Sequence, residues 1–350
     1  MNIIEIKELE KTFKVLNRHE GLKGAVKDLF SRDYKYIKAV DQISMNISEG
    51  EIVGYLGPNG AGKSTTIKMM TGVLEPSGGS LIVNGNVPYK NRKLNAQNIG
   101  VVFGQRTQLW WALPVIESFK ILKQIYKIDD KTFNENLELF DSLVNISALY
   151  SKPVRQMSLG QRTLCDILAA FLHNPKVIFL DEPTIGLDVS IKSKIRMLIK
   201  ELNTRKKTTV ILTTHDMGDV EALCQRIVII DKGKIIFDNQ FDKLKDMFGS
   251  YRTLKVSIEN LGDDAFSKYS DIIFTQFNDK KAISLSNSEE DWMSISVDQD
   301  RIPLTDVLNY TMKALPVKDV KIEEVEAESI IKRIYEGGKA AENALAANAT

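Results

Sequence analysis

The chain has only two cysteines in 350 residues, Cys165 and Cys224. A pair so far apart makes neither a metal-ligand spacing nor a disulfide framework, which fits a reducing compartment. The chain also lacks an excess of either charge. Its 47 basic and 46 acidic side chains leave a net charge of +1, so charge gives no indication of nucleic acid as a partner. No window reaches about 18 apolar residues free of charge, so no membrane-crossing helix is expected. The first residues, Met1-Asn2-Ile3-Ile4-Glu5-Ile6-Lys7, carry no apolar core of a secretory leader. What is present is ordinary for a globular protein: 43% hydrophobic and 27% charged residues, at a length that allows two domains.

The most informative stretch is Gly57-Pro58-Asn59-Gly60-Ala61-Gly62-Lys63-Ser64-Thr65. Two glycines with four residues between them, followed by Lys and Ser/Thr, form the phosphate-loop pattern. A short apolar run, Ile52 to Leu56, precedes it and suits a buried strand. Thr66 to Met70 follows and suits the first turns of a helix. In that context glycines let backbone N–H groups close around a triphosphate, and the helix start adds partial positive charge. Lys63 would then reach the β/γ-phosphates, and the Ser64 hydroxyl would ligate Mg²⁺. A second apolar run, Val177-Ile178-Phe179-Leu180, ends in Asp181 and Glu182. It reads as a central strand whose end faces the ligand crevice. Asp181 suits the Mg²⁺ shell, and Glu182 a general base that polarises an attacking water.

From these residues onward the chain resembles the nucleotide-binding subunits of ATP-binding-cassette (ABC) transporters, over about residues 1–245. Several motifs stand in family order. Gln105 occupies the place of the family's Q-loop glutamine, and Gly186-Leu187-Asp188 resembles the D-loop. His215, after the strand-like run Thr209 to Leu212, resembles the switch histidine. Ser158-Leu159-Gly160-Gln161 is similar to the family signature, with Leu159 in place of a glycine and both Ser158 and Gly160 kept. The same residues read as an N-cap leading into a helix over Arg162–His173.

The resemblance implies an α/β phosphate-loop cassette with a helical subdomain at about 106–172. It implies ATP and Mg²⁺ as cofactors, with catalytic roles for Glu182, His215 and Gln105 and a metal shell of Ser64, Gln105 and Asp181. Nucleotide contacts would come from Asn59, Gly60, Ala61, Gly62, Lys63, Ser64 and Thr65, and across a head-to-tail dimer from Ser158, Gly160 and Gln161. With Glu182 and His215 both present, a homodimer with two working sites is expected, and a heterodimer stays open. For the adenine ring the family uses an aromatic near the start of the domain. Phe13 fits best, with Tyr34 and Tyr36 as competitors.

The run Gln108-Leu109-Trp110-Trp111, with Ser-Leu-Gly-Gln-Arg, looks most like the ATPases of type-two ABC export systems. Those work with separately encoded multi-helix permeases, which places the chain peripherally on the cytoplasmic face of a membrane. Two adjacent tryptophans suit either a permease-docking surface or the subdomain's own core. The alternative function is a soluble ABC ATPase acting on ribosomes or DNA. It is weakened by the single cassette and the lack of a long heptad repeat.

Two regions stand outside the cassette pattern. An insertion at about 14–38 has an amphipathic stretch, Gly21 to Phe30, and residues 11–38 hold eight basic against three acidic residues. It suits an anionic membrane surface, a permease segment or the cassette's own sheet. Residues 246–336 read as a small α+β domain, with a ferredoxin-like arrangement as one candidate. Strands are expected at Thr253–Ile258, Asp271–Phe277, Lys281–Ser286, Trp292–Val297 and Val320–Val325, and helices at Leu304–Ala314 and Ser329–Tyr335. Its expected role is dimer stabilisation or regulation, with a passive appendage equally open. Residues 337–350 read as a flexible tail.

Overall fold

The computed structural model describes residues 1–16, 34–104, 106–248, 251–259, 261–279, 282–289 and 291–324. Gln105, the amphipathic stretch at 21–30, the expected helix at 329–335 and the tail lie outside the described residues. The chain divides into two compact units, the second beginning at Asp242.

The first unit opens with two long antiparallel strands, β1 (Asn2–Leu16) and β2 (Tyr34–Ser48). Residues 14–16 and 34–38, counted by sequence as insertion, continue these strands. Then come β3 (Ile52–Leu56), α1 (Lys63–Met70), β4 (Gly78–Val83), α2 (Arg92–Asn98) and β5 (Ile99–Phe103). Three helices follow, α3 (Val115–Tyr126), α4 (Asp130–Val144) and α5 (Leu159–Phe171). The unit continues with β6 (Val177–Asp181), α6 (Val189–Lys206), β7 (Thr209–Thr213), α7 (Met217–Leu223), β8 (Arg226–Asp231) and β9 (Lys234–Gln240). A helix α8 (Phe241–Phe248) spans the division.

The main sheet runs β5-β6-β7-β3-β8-β9, parallel except for β9, which turns back against β8. A three-stranded antiparallel sheet, β2-β1-β4, makes a second layer. Every residue of β3 and β7 is buried, as is Val177–Leu180 of β6. This is why these segments read as continuous apolar runs, since central parallel strands are covered on both faces. Val53 and Tyr55 of β3, Phe179 of β6 and Ile211 of β7 share one core with Ile4, Ile6 and Leu9 of β1 and Ile67 and Met70 of α1.

The second unit contains β10 (Tyr251–Ile258), α9 (Asp263–Gln276), β11 (Ile283–Glu289), β12 (Trp292–Asp298), α10 (Leu304–Ala314) and β13 (Val317–Glu324). The sheet order is β11-β12-β10-β13, all antiparallel. A β-α-β-β-α-β chain in that order is the ferredoxin-like split βαβ. One expectation is overturned. Asp271–Phe277 lies in and just past helix α9 and forms no strand. Its apolar run obscured the spacing Phe266, Tyr269, Ile273, Phe277, which is helical. Ile273 is fully buried among Leu254, Val256, Met293 and Ile295, whereas Thr275, which a strand would place on the same face, is exposed.

That difference is measurable. Ile273→Ala should destabilise the second unit by about 2–5 kcal/mol in urea unfolding of the full chain. Thr275→Ala should change it by no more than about 0.5 kcal/mol. Equal losses at both positions would contradict the helical assignment.

Candidate functional site

The parallel strands of the main sheet end together, and the functional motifs follow from their ends. The loop at 57–62 leaves β3 and enters α1, whose first residue is Lys63. Two glycines in it are dictated by space. A Cβ on Gly57 would lie 2.3 Å from the Ile230 carbonyl oxygen, and one on Gly62 would lie 2.4 Å from that of Ala39. Gly62 also has φ of 112°, where side chains are strained. The loop is therefore pressed between β2 and β8 and cannot spread. Behind it, the Ala61 carbonyl accepts the Gly233 N–H at 2.9 Å.

A cavity of about 450 Å³ opens at this loop. Of the residues expected to hold nucleotide or metal, Asn59, Gly60, Gly62, Lys63, Ser64, Thr65 and Asp181 line it, as do Glu182 and His215. Ala61 does not line it and is buried beneath the loop. The Lys63 ammonium donates to the carbonyls of Gly57 and, at 3.2 Å, Pro58. Burial lowers its pKa, opposed by the charges of Glu182 and Asp181.

Asp181 ends β6 and accepts the hydroxyl of Thr213, its neighbour at the end of β7. Glu182 adopts a left-handed backbone, φ 54°, with its N–H donated to the Thr213 carbonyl at 2.9 Å. One carboxylate oxygen, Oε2, accepts the His215 backbone N–H at 3.3 Å. The His215 ring Nε2 lies 3.3 Å from the other oxygen, Oε1. That approach is outside hydrogen-bond geometry, so among the described residues Oε1 is buried without a donor. Burial raises the Glu182 pKa, opposed by His215 and Lys63 and reinforced by Asp181. A buried carboxylate oxygen with no donor beside a polar cavity fits a water molecule that it can polarise.

The signature residues stand apart from this cavity. Ser158 caps α5, its hydroxyl accepting the Gln161 N–H at 3.2 Å, while the Gln161 side chain accepts the Ser158 N–H at 3.3 Å. This capping box starts the helix three residues before the expected Arg162. Gly160 is buried, and a Cβ there would meet the Ile191 side chain of α6 at 2.8 Å. Close packing of these two helices therefore requires glycine.

Phe13 and the two tyrosines fall on opposite faces of the β1–β2 ladder. Phe13 pairs with Ile37, whereas Lys14 pairs with Tyr36 and Leu16 with Tyr34. None of the three aromatics lines the cavity, although Ala39, two residues past Ile37, does. Phe13 is partly exposed, which excludes full burial in the core.

Trp110 and Trp111 are also exposed, at 37% and 53%, so they do not fill the helical region's core. Their segment is tied to the signature helix. Thr107 Oγ1 and the Gln108 N–H donate to the Asp166 carboxylate at 2.9 and 3.0 Å, and Arg162 lies 5.2 Å from the Trp111 ring. Asp166 was missed by sequence reasoning. Its only signal was an acid inside the apolar stretch Cys165-Asp166-Ile167-Leu168. Burial raises its pKa to about 6, opposed by the hydrogen bonds from Gln108 and Thr107.

A glycine-constrained loop at a helix start, with carboxylates at the end of a second strand of the same parallel sheet, defines a phosphate-loop nucleoside-triphosphatase. Comparison with known proteins agrees. The family model described as "ABC transporter" matches residues 40–185. The ABC transporter ATP-binding protein NatA of Bacillus subtilis is 33% identical over 215 residues, 61% of this chain and 87% of that protein. The bacitracin transport ATP-binding protein BcrA of Bacillus licheniformis is 33% identical over 224 residues, 64% of this chain and 72% of the relative. Among solved structures, the dimeric ATP-binding cassette MJ0796 in a post-hydrolysis state with ADP and Pi is 25% identical. It covers 68% of this chain and 98% of that one, with a TM-score of 0.54. CbiO1 of Clostridium perfringens, part of the transporter complex cbiONQ, is 26% identical over 70% of this chain and 91% of its own, with a TM-score of 0.57. The chain belongs to the ABC transporter ATP-binding proteins, whose cassettes bind and hydrolyse ATP. Such subunits dimerise and work with membrane permeases. No helix among the described residues is long and apolar enough to cross a membrane.

The Asp166 carboxyl gives a pH test. An acid whose pKa is raised by folding stabilises the fold below its unfolded value near 3.8, and this contribution is lost as pH rises through about 6. Asp166→Asn removes the ionisation. Relative to wild type, it should therefore gain about 2 kcal/mol between pH 4 and pH 7. Urea unfolding at both pH values measures the difference, and a pH-independent one would contradict the buried ionisation.

Proposed function

We propose that the chain is the ATP-hydrolysing subunit of an exporter. It would lie peripherally on the cytoplasmic face of a membrane and work as a homodimer with a separately encoded multi-helix permease. The observation that carries the hydrolytic reading is the Glu182 Oε1, buried without a donor among the described residues, in the cavity at the phosphate loop. Export is favoured by the Gln-Leu-Trp-Trp and Ser-Leu-Gly-Gln patterns and by similarity to a bacitracin transport ATP-binding protein over 72% of its length. The methionine import ATP-binding protein MetN of Geobacillus kaustophilus is covered over 59%. These relatives offer no support for action on ribosomes or DNA.

In this reading Lys63 exchanges its loop carbonyls for the β/γ-phosphates of ATP, and the backbone of residues 59–65 surrounds them. Ser64 and Asp181, oxygen donors on the same cavity, suit Mg²⁺, with Gln105 as the third ligand implied by the family pattern. Mg²⁺ would neutralise charge on the phosphates. Glu182 accepts a proton from the attacking water, and His215 holds Glu182 on one side and the γ-phosphate on the other. Ser158, Gly160 and Gln161, remote from their own cavity, present the capped start of α5 to the nucleotide of a partner subunit. Phe13 stacks on adenine. Exposed Trp110 and Trp111 meet the permease. The division of labour is a cassette over residues 1–245 and a C-terminal domain that stabilises the dimer or regulates it.

Three outcomes are expected. Glu182→Gln should lower turnover by roughly 10²- to 10⁴-fold while ATP binding persists. Hydrolysis within about threefold of wild type would rule out the general-base role. Phe13→Ala should weaken ATP binding by about 5- to 150-fold, as loss of a base-stacking aromatic does. Because the aromatics sit on opposite faces, a loss in Tyr36→Ala with none in Phe13→Ala would move the platform to the other side of the hairpin. Trp111→Ala should release the co-purifying permease, at a cost of about 2 kcal/mol or more, with ATP affinity kept. Retention of permease would remove Trp111 from the docking surface.

A further inference from the structure

We propose that Asp219 is a positioning residue for hydrolysis: its buried carboxylate joins the segment carrying Glu182 to the segment carrying His215 through the hydroxyls of Thr184 and Thr214. The proposal rests on the roles given above to Glu182 and His215.

Asp219 is fully buried in α7. A buried carboxylate is costly unless charge and hydrogen bonds compensate it. Here every contact comes from an element bordering the hydrolytic pair. Oδ1 accepts Arg196 Nε of α6 at 2.6 Å. Oδ2 accepts two hydroxyls at once, those of Thr184 and, at 3.1 Å, Thr214. Thr184 stands two residues after Glu182, and Thr214 directly precedes His215. Both threonines are themselves buried. One oxygen atom therefore fixes the distance between the two loops whose side chains meet at 3.3 Å.

The clamp reaches further through α6. Arg196 also donates to Asp216 Oδ1 at 3.2 Å, and Lys192, one turn earlier, pairs with Asp216 Oδ2. The Thr214 hydroxyl in turn accepts the Asp216 N–H at 3.0 Å. Helix α6 begins at its cap Asp188, immediately after Gly186 and Leu187. A Cβ on Gly218 would come within 2.9 Å of the Arg196 guanidinium, so a side chain there would push the end of the arginine aside. The resulting unit links the D-loop, the general-base segment and the switch histidine through contacts that do not involve nucleotide.

The arrangement suits a carboxylate. One oxygen faces a guanidinium and the other accepts two hydroxyls. An amide with its oxygen toward the guanidinium would lack the charge that balances it and would reverse both hydroxyl bonds. Without the clamp, the Glu182–His215 pair depends on backbone that is strained at Glu182 and on a half-exposed imidazole. Displacement of about 1 Å at such a pair is enough to cost of order 10²-fold in rate.

The hydroxyls can be removed without changing shape. Thr184→Val and Thr214→Val, each in the full chain, should lower kcat for ATP hydrolysis by about 10- to 100-fold. ATP affinity, read with a fluorescent ATP analogue, should stay within about twofold, because neither threonine lines the phosphate cavity. Thr184→Ser and Thr214→Ser, which restore the hydroxyl, should return kcat to within about threefold of wild type. Glu182→Gln runs beside them as reference. Valine variants with wild-type kcat, beside an inactive Glu182→Gln, would overturn the clamp and leave the general base intact. Losses that follow ATP affinity or folded fraction and are not rescued by serine would also overturn it, since that is how a purely structural role behaves. Turnover retained in Glu182→Gln would sink the assignment of the base itself.

Discussion

The register of three parallel strands governs this molecule. In β3, β6 and β7 the backbone pairing runs without interruption, with Val53 opposite Ile211, Phe179 opposite Ile211 and Asp181 opposite Thr213. Parallel strands buried on both faces can shift only by breaking a complete apolar layer. Their carboxyl ends therefore stop at a common edge, where the phosphate loop, the two acids and the switch histidine follow from separate strands. No one of these motifs could form the cavity alone. A ligand site at the carboxyl edge of a parallel sheet is the general consequence.

That edge explains which parts were legible in the sequence. The strands showed as apolar runs because burial on both faces demands it, and each run was followed by a motif with its own chemistry. The phosphate loop, Asp181 and Glu182 could be read locally and His215 by its place in the family pattern, and one cavity is lined by residues of the loop together with Asp181, Glu182 and His215. The signature was legible only as a pattern, and its residues stand apart from the cavity. The N-cap at Ser158 was present in the letters, but the helix after it was read three residues late. The adenine platform was harder, because the parity of the β1–β2 ladder, and not residue type, separates Phe13 from Tyr34 and Tyr36.

Two kinds of feature were hidden. In the second unit, consecutive apolar residues at 272–274 resembled a strand, and only the wider spacing from Phe266 to Phe277 reveals the helix. Short apolar runs carry no period, so tertiary burial decides. The other kind is long-range polar satisfaction. Asp219 and Thr184 are 35 positions apart, and Asp166 and Gln108 are 58 apart. Nothing in a linear pattern announces that a buried acid will find its donors there. Such groups become visible once burial and hydrogen-bond partners are known, because a buried charge must be matched.

The left-handed backbone of Glu182 has a consequence for how this sequence can drift. A non-glycine residue in that conformation carries of order 1–3 kcal/mol of strain. Glycine would relax the backbone. Backbone strain alone therefore favours glycine over glutamate at position 182. On the proposed base role, a lineage released from the need to turn over ATP would be expected to lose this side chain early while its fold became more stable.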